Sequence, residues 1–173
     1  MNAKDLIAQA DPNFMLGIEE QYGELNIEVK SEHLKSLLEF LKNGDYRVLI
    51  DLTAVDYLMP AKRTKIIYLL HNPENYERIR VNLFVTRGQN APSVTSIFKG
   101  ADWYERELFD MFGIHFKDHP DLKRLLMPDD WIGHPMLRDY ALTEESVEFK
   151  GGVKPKVPSE IISHFKLKVL HND

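Results

Sequence analysis

The chain has 173 residues, and 22 Lys and Arg against 27 Asp and Glu give it a formal net charge of −5. It has no cysteine, which excludes disulfides, thiolate zinc sites, cysteine nucleophiles and cysteine-bound iron–sulfur clusters in this chain. The acidic balance argues against a general nucleic-acid-binding protein, which needs a basic face for phosphate contacts. The length and the 43% of hydrophobic residues indicate a globular chain with a sizeable core.

The sequence shows no segment that would place it in a membrane by itself. No stretch reaches the ~18–20 consecutive apolar residues of a membrane-spanning helix. The first residues are followed by neither the apolar core nor the small-residue cleavage site of a secretory signal. We therefore expect a cytosolic protein, or one that reaches a membrane only through its partners.

The first part of the chain, residues 1–98, is predicted to be an α/β domain of the α+β type. A short helix over 4–10 precedes two strands, over 14–19 and 25–30, which flank a turn at 21–24. Ser31 is placed to cap the next helix, which Asn43-Gly44 ends. That helix carries one apolar stripe, formed by Leu34, Leu37, Leu38 and Leu41.

Three further strands are predicted over residues 46–53, 65–71 and 78–86. In the last of them apolar residues alternate with Arg80, Asn82 and Phe84, so one face of the strand is polar or is covered by another element. Short turns between the strands favour a mixed or antiparallel sheet with helices on one face. We therefore predict a two-layer domain.

The second part, residues 99–140, begins with a helix from Ala101 to Phe112 that Gly113 ends. Arg106 lies four residues from Asp102 and four from Asp110, which predicts a ladder of ion pairs along one side of this helix. Prolines then interrupt any regular structure. The density of aromatic residues and arginines predicts a docking surface, with a well-packed subdomain as the alternative.

The third part, residues 141–173, is predicted to be an extended arm. It contains Gly151-Gly152 and a Pro-Lys-Val-Pro segment over 155–158, and it has no clear period. Such an arm is either disordered or laid along a partner.

Two histidines have the spacing of a zinc site, because His115 and His119 are four residues apart. They follow the helix-ending Gly113 and directly precede Pro120, which makes a helix there doubtful. We interpret both as ordinary polar residues of a loop and expect no metal site.

The carboxylate pairs and nucleotide motifs do not indicate catalysis either. Glu105 and Glu107 are two apart on a helix and point to different faces, and Asp129-Asp130 is typical of a turn or a cap. The sequence has no Gly-rich dinucleotide fingerprint, no P-loop and no Gly-x-Ser-x-Gly elbow. No catalytic residues are expected in this chain.

Two segments carry a resemblance to a known family: ERELFDMFGIHF over residues 105–116 and HPDLKRLL over residues 119–126. They are similar to the signature of the 30-kDa-type subunit, also called the C subunit, of the proton-pumping NADH:quinone oxidoreductase, respiratory complex I. The continuation Asp130-Trp131-x-Gly133-x-Pro135 also looks like this family. One position departs from its pattern, because Leu137 stands where the family usually has an arginine.

The resemblance implies a non-redox structural subunit of the peripheral arm. FMN, iron–sulfur clusters and quinone would lie in partner subunits, and this chain would hold those subunits in register while electrons pass from NADH to quinone and protons are translocated. The implied partners are the D subunit of complex I, which builds most of the quinone pocket, and the neighbouring cluster-bearing subunits. The implied location is the cytoplasmic side of the bacterial inner membrane.

The residues of the predicted docking surface are mostly those of the resemblance. Four of them, Glu105, Arg106, Glu107 and Asp110, are hypothesised to form a charged lattice at or behind the interface with the quinone-pocket subunit. The full set of candidates is Trp103, Glu105, Arg106, Glu107, Asp110, Phe112, His119, Lys123, Arg124, Trp131 and Arg138.

Two other functions stay open. Membrane-bound nickel–iron hydrogenases and related ferredoxin-dependent complexes contain a similar subunit, and the partner subunits would distinguish them from the NADH-linked enzyme. A free-standing binding or scaffold module could also use such a fold. A stand-alone enzyme has no support in the residues described above.

Overall fold

The computed structural model describes residues 2–58 and 63–140. The chain divides into two compact units, Met1–Arg138 and Asp139–Asp173, and the predicted arm over residues 141–173 lies outside the described residues. The predicted boundaries near residues 98 and 140 stay predictions. In chain order the elements are α1 (Ala3–Ile7), β1 (Met15–Gln21), β2 (Glu24–Val29), α2 (Leu34–Asn43), β3 (Val48–Tyr57), β4 (Arg63–His71), β5 (Arg78–Thr86), β6 (Ala91–Pro92), α3 (Ala101–Phe112) and β7 (Phe116–Lys117).

The main sheet has five strands in the order β1-β2-β5-β4-β3. Its pairs are antiparallel except for β2 with β5, which run parallel in a register that sets Leu25 beside Ile79. The prediction of a mixed sheet is therefore confirmed. A second sheet has two strands, β6 and β7, which pair in parallel. Because β6 precedes α3 and β7 follows it, this sheet brings together the segments on the two sides of α3.

The core lies on one face of the main sheet, where every second residue of the central strands is buried. Ile66, Tyr68 and Leu70 of β4 belong to one apolar cluster with the leucine stripe of α2 and with Leu108 of α3. The helices therefore cover that face, as the apolar periodicity of the sequence predicted. The opposite face is mixed: it carries Lys65 and Ile67 of β4, and Arg80 and Asn82 of β5.

Two local predictions need correction. The first concerns Ser31, which does not cap α2: a short 3₁₀ turn over Ser31–His33 precedes the helix, and no side chain caps either element. The second concerns the predicted strand over 46–53, which begins and ends later, at Val48 and Tyr57. A register shift between Leu49 and Asp51 breaks the alternation that the sequence pattern depends on.

The loop that follows β7, residues 118–138, contains no regular helix or strand. We call it the α3 loop, because its backbone is held mainly by side chains and carbonyl groups of α3. Within the described residues, no helix has both the length and the apolar character to cross a membrane.

Candidate docking surface

The α3 loop is held to α3 by the carboxylate of Asp110, whose side chain is fully buried. One oxygen accepts a hydrogen bond from Arg124 Nη1 at 2.6 Å. The other oxygen accepts from three successive backbone amides, those of residues 125, 126 and 127, at 3.0, 2.7 and 2.8 Å. Burial alone would raise the pKa of Asp110, but these hydrogen bonds outweigh it and hold the pKa below its ordinary value of 3.8.

Arg124 extends this attachment to the second half of the loop. Its Nη2 donates to the carbonyls of Trp131 at 2.9 Å and Gly133 at 3.2 Å, while Nη1 binds Asp110. The Met136 amide donates to the carbonyl of Met111 at 3.0 Å. The ion pair and its hydrogen bonds thus fix the chain from residue 124 to residue 133, and the backbone bond to Met111 fixes residue 136.

Gly113 allows the loop to pass close to the end of α3. Its φ of 70° lies in the left-handed region, and its amide donates to the carbonyl of Phe109. A Cβ at this position would lie 2.6 Å from Cδ2 of His134, whose Nδ1 donates to the carbonyl of Asp110 at 2.9 Å. Glycine is therefore required both by the backbone conformation and by the packing of the loop.

Arg106 does not form the predicted ladder of ion pairs. Its Nε and Nη2 donate to the carbonyls of Lys123 and Arg124 at 3.3 and 3.2 Å, and its guanidinium lies 5.0 Å from the centre of the Trp103 ring. Asp110 pairs with Arg124 instead. The spacing along α3 correctly predicted which side chains share a face of the helix. The α3 loop, however, provides the hydrogen-bond partners of Arg106 and Asp110, in place of residues on the next turn of the helix.

Glu105 is buried five residues before Asp110 on the same helix. Its Oε1 accepts a hydrogen bond from the Val94 amide at 2.7 Å, and within the described chain Oε2 has no hydrogen-bond partner. Burial raises the pKa of Glu105 to about 7, and the nearby Asp102 carboxylate raises it further by a smaller amount. The hydrogen bonds from Val94 and Ser93 and the positive charge of Lys35 lower this pKa, but they do not outweigh burial. This carboxyl group therefore joins α3 to the segment that directly follows β6.

His119 lies in a loop, as the sequence predicts, but its side chain is buried beside Glu105. Its Nε2 lies 3.1 Å from Asp102 Oδ1, 3.3 Å from the Asp102 carbonyl oxygen and 3.9 Å from Glu105 Oε2. The Asp121 amide donates to Nδ1 at 3.1 Å, so the neutral ring carries its proton on Nε2. His115, by contrast, is exposed and contacts Phe109.

The four residues of the hypothesised charged lattice do not form one network. Glu105 and Asp110 are buried with separate partners, Arg106 is half-buried against the loop, and Glu107 is exposed. The cause is the helical period, which sends residues two or five apart to different faces. No group of three or more His, Asp or Glu side chains in the described residues is arranged to hold a metal ion.

The other candidates lie on the surface or near it. Lys123 is exposed and pairs with Asp121 at 2.6 Å, Phe112 is half-buried, and Trp131 is half-buried with no hydrogen-bond partner for Nε1 among the described residues. Apolar side chains are also exposed here: Trp103 at 59%, Leu126 at 57%, Ile132 at 87% and Met136 at 56%.

Sequence reasoning missed Asp56, which holds the end of the α3 loop to the sheet. This buried carboxylate pairs with Arg87 and accepts a hydrogen bond from the Arg138 amide at 3.0 Å, while the Arg138 side chain is exposed. The partners are 31 and 82 residues away in sequence, so no local pattern could reveal them. Leu137 lines a cavity of about 190 Å³ between Gly113 and the turn after β5.

Comparison with known proteins identifies the family of this chain. The family described as "Respiratory-chain NADH dehydrogenase, 30 Kd subunit" matches residues 27–146. The chain is 44% identical over 132 residues to the C subunit of NADH-quinone oxidoreductase from Citrifermentans bemidjiense, covering 75% of this chain and 82% of that protein. It is 39% identical over 140 residues to the corresponding C subunit from Sinorhizobium medicae, covering 79% and 70%.

Solved structures are similar as well. A trypsin-resistant fragment of Nqo5 superposes with a TM-score of 0.58 at 28% identity, covering 69% of this chain and 95% of the fragment. A chain of the membrane-bound sulfane sulfur reductase, an archaeal respiratory membrane complex, has the same fold, with a TM-score of 0.59 at 20% identity and coverage of 98% and 90%. The matched signature, the shared fold and the identity over most of both chains establish that this protein belongs to the family of the 30 kDa subunit of respiratory-chain NADH dehydrogenase, complex I.

Proposed function

We propose that this chain is a non-redox structural subunit of the peripheral arm of NADH:quinone oxidoreductase. It holds the quinone-pocket subunit in register with the cluster-bearing subunits. FMN, iron–sulfur clusters and quinone then lie in those partners, on the cytoplasmic side of the bacterial inner membrane. This chain supports electron transfer from NADH to quinone and proton translocation only by fixing the positions of its partner subunits.

The contacts of two signature residues, Asp110 and Arg124, support this proposal. Asp110 and Arg124 direct their charges at each other and at the backbone of the α3 loop, at distances of 2.6–3.2 Å. A carboxylate already saturated by four donors is poorly suited to proton transfer. It is well suited to holding a loop in one conformation, which lowers the entropy lost when that loop binds a partner.

The loop held in this way exposes apolar side chains. Leu126, Ile132 and Met136 are all more than half exposed on the α3 loop, and Trp103 lies beside it under the Arg106 guanidinium. Exposed large apolar groups grouped on one rigid segment are typical of a protein–protein interface. We infer that the quinone-pocket subunit covers them.

Purification of the intact assembly tests the function. The chain is tagged in its own cell, the membranes are solubilised gently, and the co-purifying proteins are identified by mass. An NADH- and flavin-binding subunit together with the quinone-pocket subunit is the expected result. A large subunit with a nickel site, or the chain alone, would contradict the proposal.

A substitution at Ile132 tests the surface. Ile132 is 87% exposed, so Ile132→Asp leaves folding intact but places a charge in the proposed interface. We expect the recovery of the quinone-pocket subunit to fall by about tenfold or more. The matched control is Tyr76→Asp, at a side chain that is 81% exposed on the turn between β4 and β5. Equal recovery of the quinone-pocket subunit with both variants would remove Ile132 from the interface.

A further inference from the structure

The face of the main sheet opposite the helices contains a groove of about 310 Å³. Its lining comes from four strands: Gly17, Glu19 and Gln21 of β1, Asn26 and Glu28 of β2, Lys65 of β4, and Arg80, Asn82 and Phe84 of β5. This is the face of residues 78–86 that the sequence predicts to be polar or covered by another element. A volume of this size is at the lower end of the range of ligand-binding sites.

Two asparagines line this groove, the buried Asn82 and the half-buried Asn26, and each has one buried polar atom without a hydrogen-bond partner among the described residues. Asn82 is only 6% exposed, and its Oδ1 has no partner among the described residues. The Nδ2 of Asn26 is buried and also lacks a partner there. The parallel register pairs Asn26 with Arg80 and Glu28 with Asn82, which sets the two asparagines two residues apart along the groove.

Two buried polar atoms without hydrogen bonds lower the stability of the folded chain unless a ligand bonds to them. A buried polar atom without a hydrogen bond destabilises the folded chain, and a strand interior disfavours asparagine in any case. An apolar residue at position 82 would pack beside Ile67, its neighbour on β4, at no such cost. One free acceptor and one free donor complement the N–H and C=O of a single peptide group.

The charged side chains lining the groove also favour a peptide. Glu19 and Glu28 come from β1 and β2, whereas Lys65 and Arg80 come from β4 and β5, so the two sides carry opposite formal charges. Arg80 already pairs with Glu24 of β2 at 3.0 Å, which leaves Lys65 as the main cation for a ligand. Carboxylates on one side and a cation on the other favour a mixed-charge extended segment over a small anion or cation. The family of this chain works in a multisubunit complex, which provides such segments from neighbouring chains.

We propose that this groove binds an extended peptide segment of a neighbouring subunit, with Asn82 and Asn26 hydrogen-bonding one of its peptide groups. The site is separate from the α3 loop and consists of different residues. Its consequence is a second attachment point for the chain within the complex.

The first arm of the test compares stability in the full-length chain. Asn82→Leu removes an unsatisfied polar group, so the denaturation midpoint stays the same or rises. Asn72→Leu is the matched control, since Asn72 is also buried, at 2% exposure, but its Oδ1 accepts from the Glu74 amide at 2.9 Å. That control variant is expected to lose stability. A loss with Asn82→Leu as large as with Asn72→Leu would make Asn82 a structural residue and overturn the proposal.

The second arm uses the assembled complex. A photoreactive residue replaces Glu28 in the groove, with a control at Glu39 on the exposed side of α2. We expect crosslinks from position 28 to one short segment of another subunit, reduced about tenfold when Asn82→Leu is added, the change that one ordinary hydrogen bond gives. Crosslinks only within this chain or to a second copy of it, no crosslink, or a yield unchanged by Asn82→Leu would each overturn the proposal.

Discussion

The buried carboxyl group of Glu105 makes the stability of this protein depend on pH in a direction opposite to that of most carboxylates. Glu105→Gln is the perturbation that isolates it, because glutamine has the shape of the protonated acid. The carbonyl oxygen of glutamine can still accept the hydrogen bond that the Val94 amide now donates to Oε1. The substitution therefore removes the titration and keeps the packing.

The sign follows from the pKa of the two states. Burial raises the pKa of Glu105 from 4.5 to about 7, so the folded chain holds this proton more tightly than the unfolded chain does. The contribution to stability is complete below pH 4.5 and is lost as the pH rises through 7. A shift of this size corresponds to about 3 kcal/mol at 1.36 kcal/mol per pKa unit.

Denaturant unfolding of the full-length chain at pH 5 and at pH 8 measures the effect. Glu105→Gln is expected to be close to the wild-type chain at pH 5 and more stable by about 3 kcal/mol at pH 8. Glu107→Gln is the control, because Glu107 is exposed on the same helix and should change stability by less than about 0.5 kcal/mol at both pH values. A Glu105→Gln difference that is equal at pH 5 and pH 8 would refute the reasoning.

Two further predictions concern the attachment of the α3 loop. Asp110→Asn leaves the buried Arg124 charge without its partner and should cost about 3–5 kcal/mol of unfolding free energy, with faster tryptic cleavage after Lys123 and Arg124. Unchanged cleavage would mean that other contacts fix the loop. Gly113→Ala combines a φ of 70° with a Cβ 2.6 Å from the His134 ring, and should cost about 1–3 kcal/mol by denaturant unfolding. A cost equal to that of Gly100→Ala, where a Cβ meets nothing within 4 Å, would contradict both the backbone strain and the clash at Gly113.

The regular elements could be predicted from sequence wherever a local signal was complete. The helix from Ala101 to Phe112 has its predicted bounds, because an amphipathic pattern runs up to a glycine that must adopt positive φ. The strand from Arg78 to Thr86 also has its predicted bounds, since strict alternation marks it at both ends. The edge strand β3 was displaced because its register shift interrupts the alternation.

The partners of the charged residues could not be predicted in the same way. The i,i+4 rule named Arg106 as the partner of Asp110, whereas the structure gives Arg124, fourteen residues away. Asp56 depends on groups as distant as the Arg138 amide and carries no local signature at all. Buried ion pairs are fixed by tertiary packing, so sequence spacing predicts which face a side chain occupies but not what it meets there.

The parallel pairing of β2 with β5 has a consequence for the order in which the chain folds during synthesis. The hairpin of β1 and β2 leaves the ribosome first, yet the neighbour of β2 in the sheet is the last of the five strands to be made. An isolated two-stranded hairpin is marginally stable in water. The β3–β4–β5 meander, whose strands are sequential and antiparallel, can form without it. The N-terminal hairpin then adds to a meander that is already complete, so the two strands made first are the last to become stable.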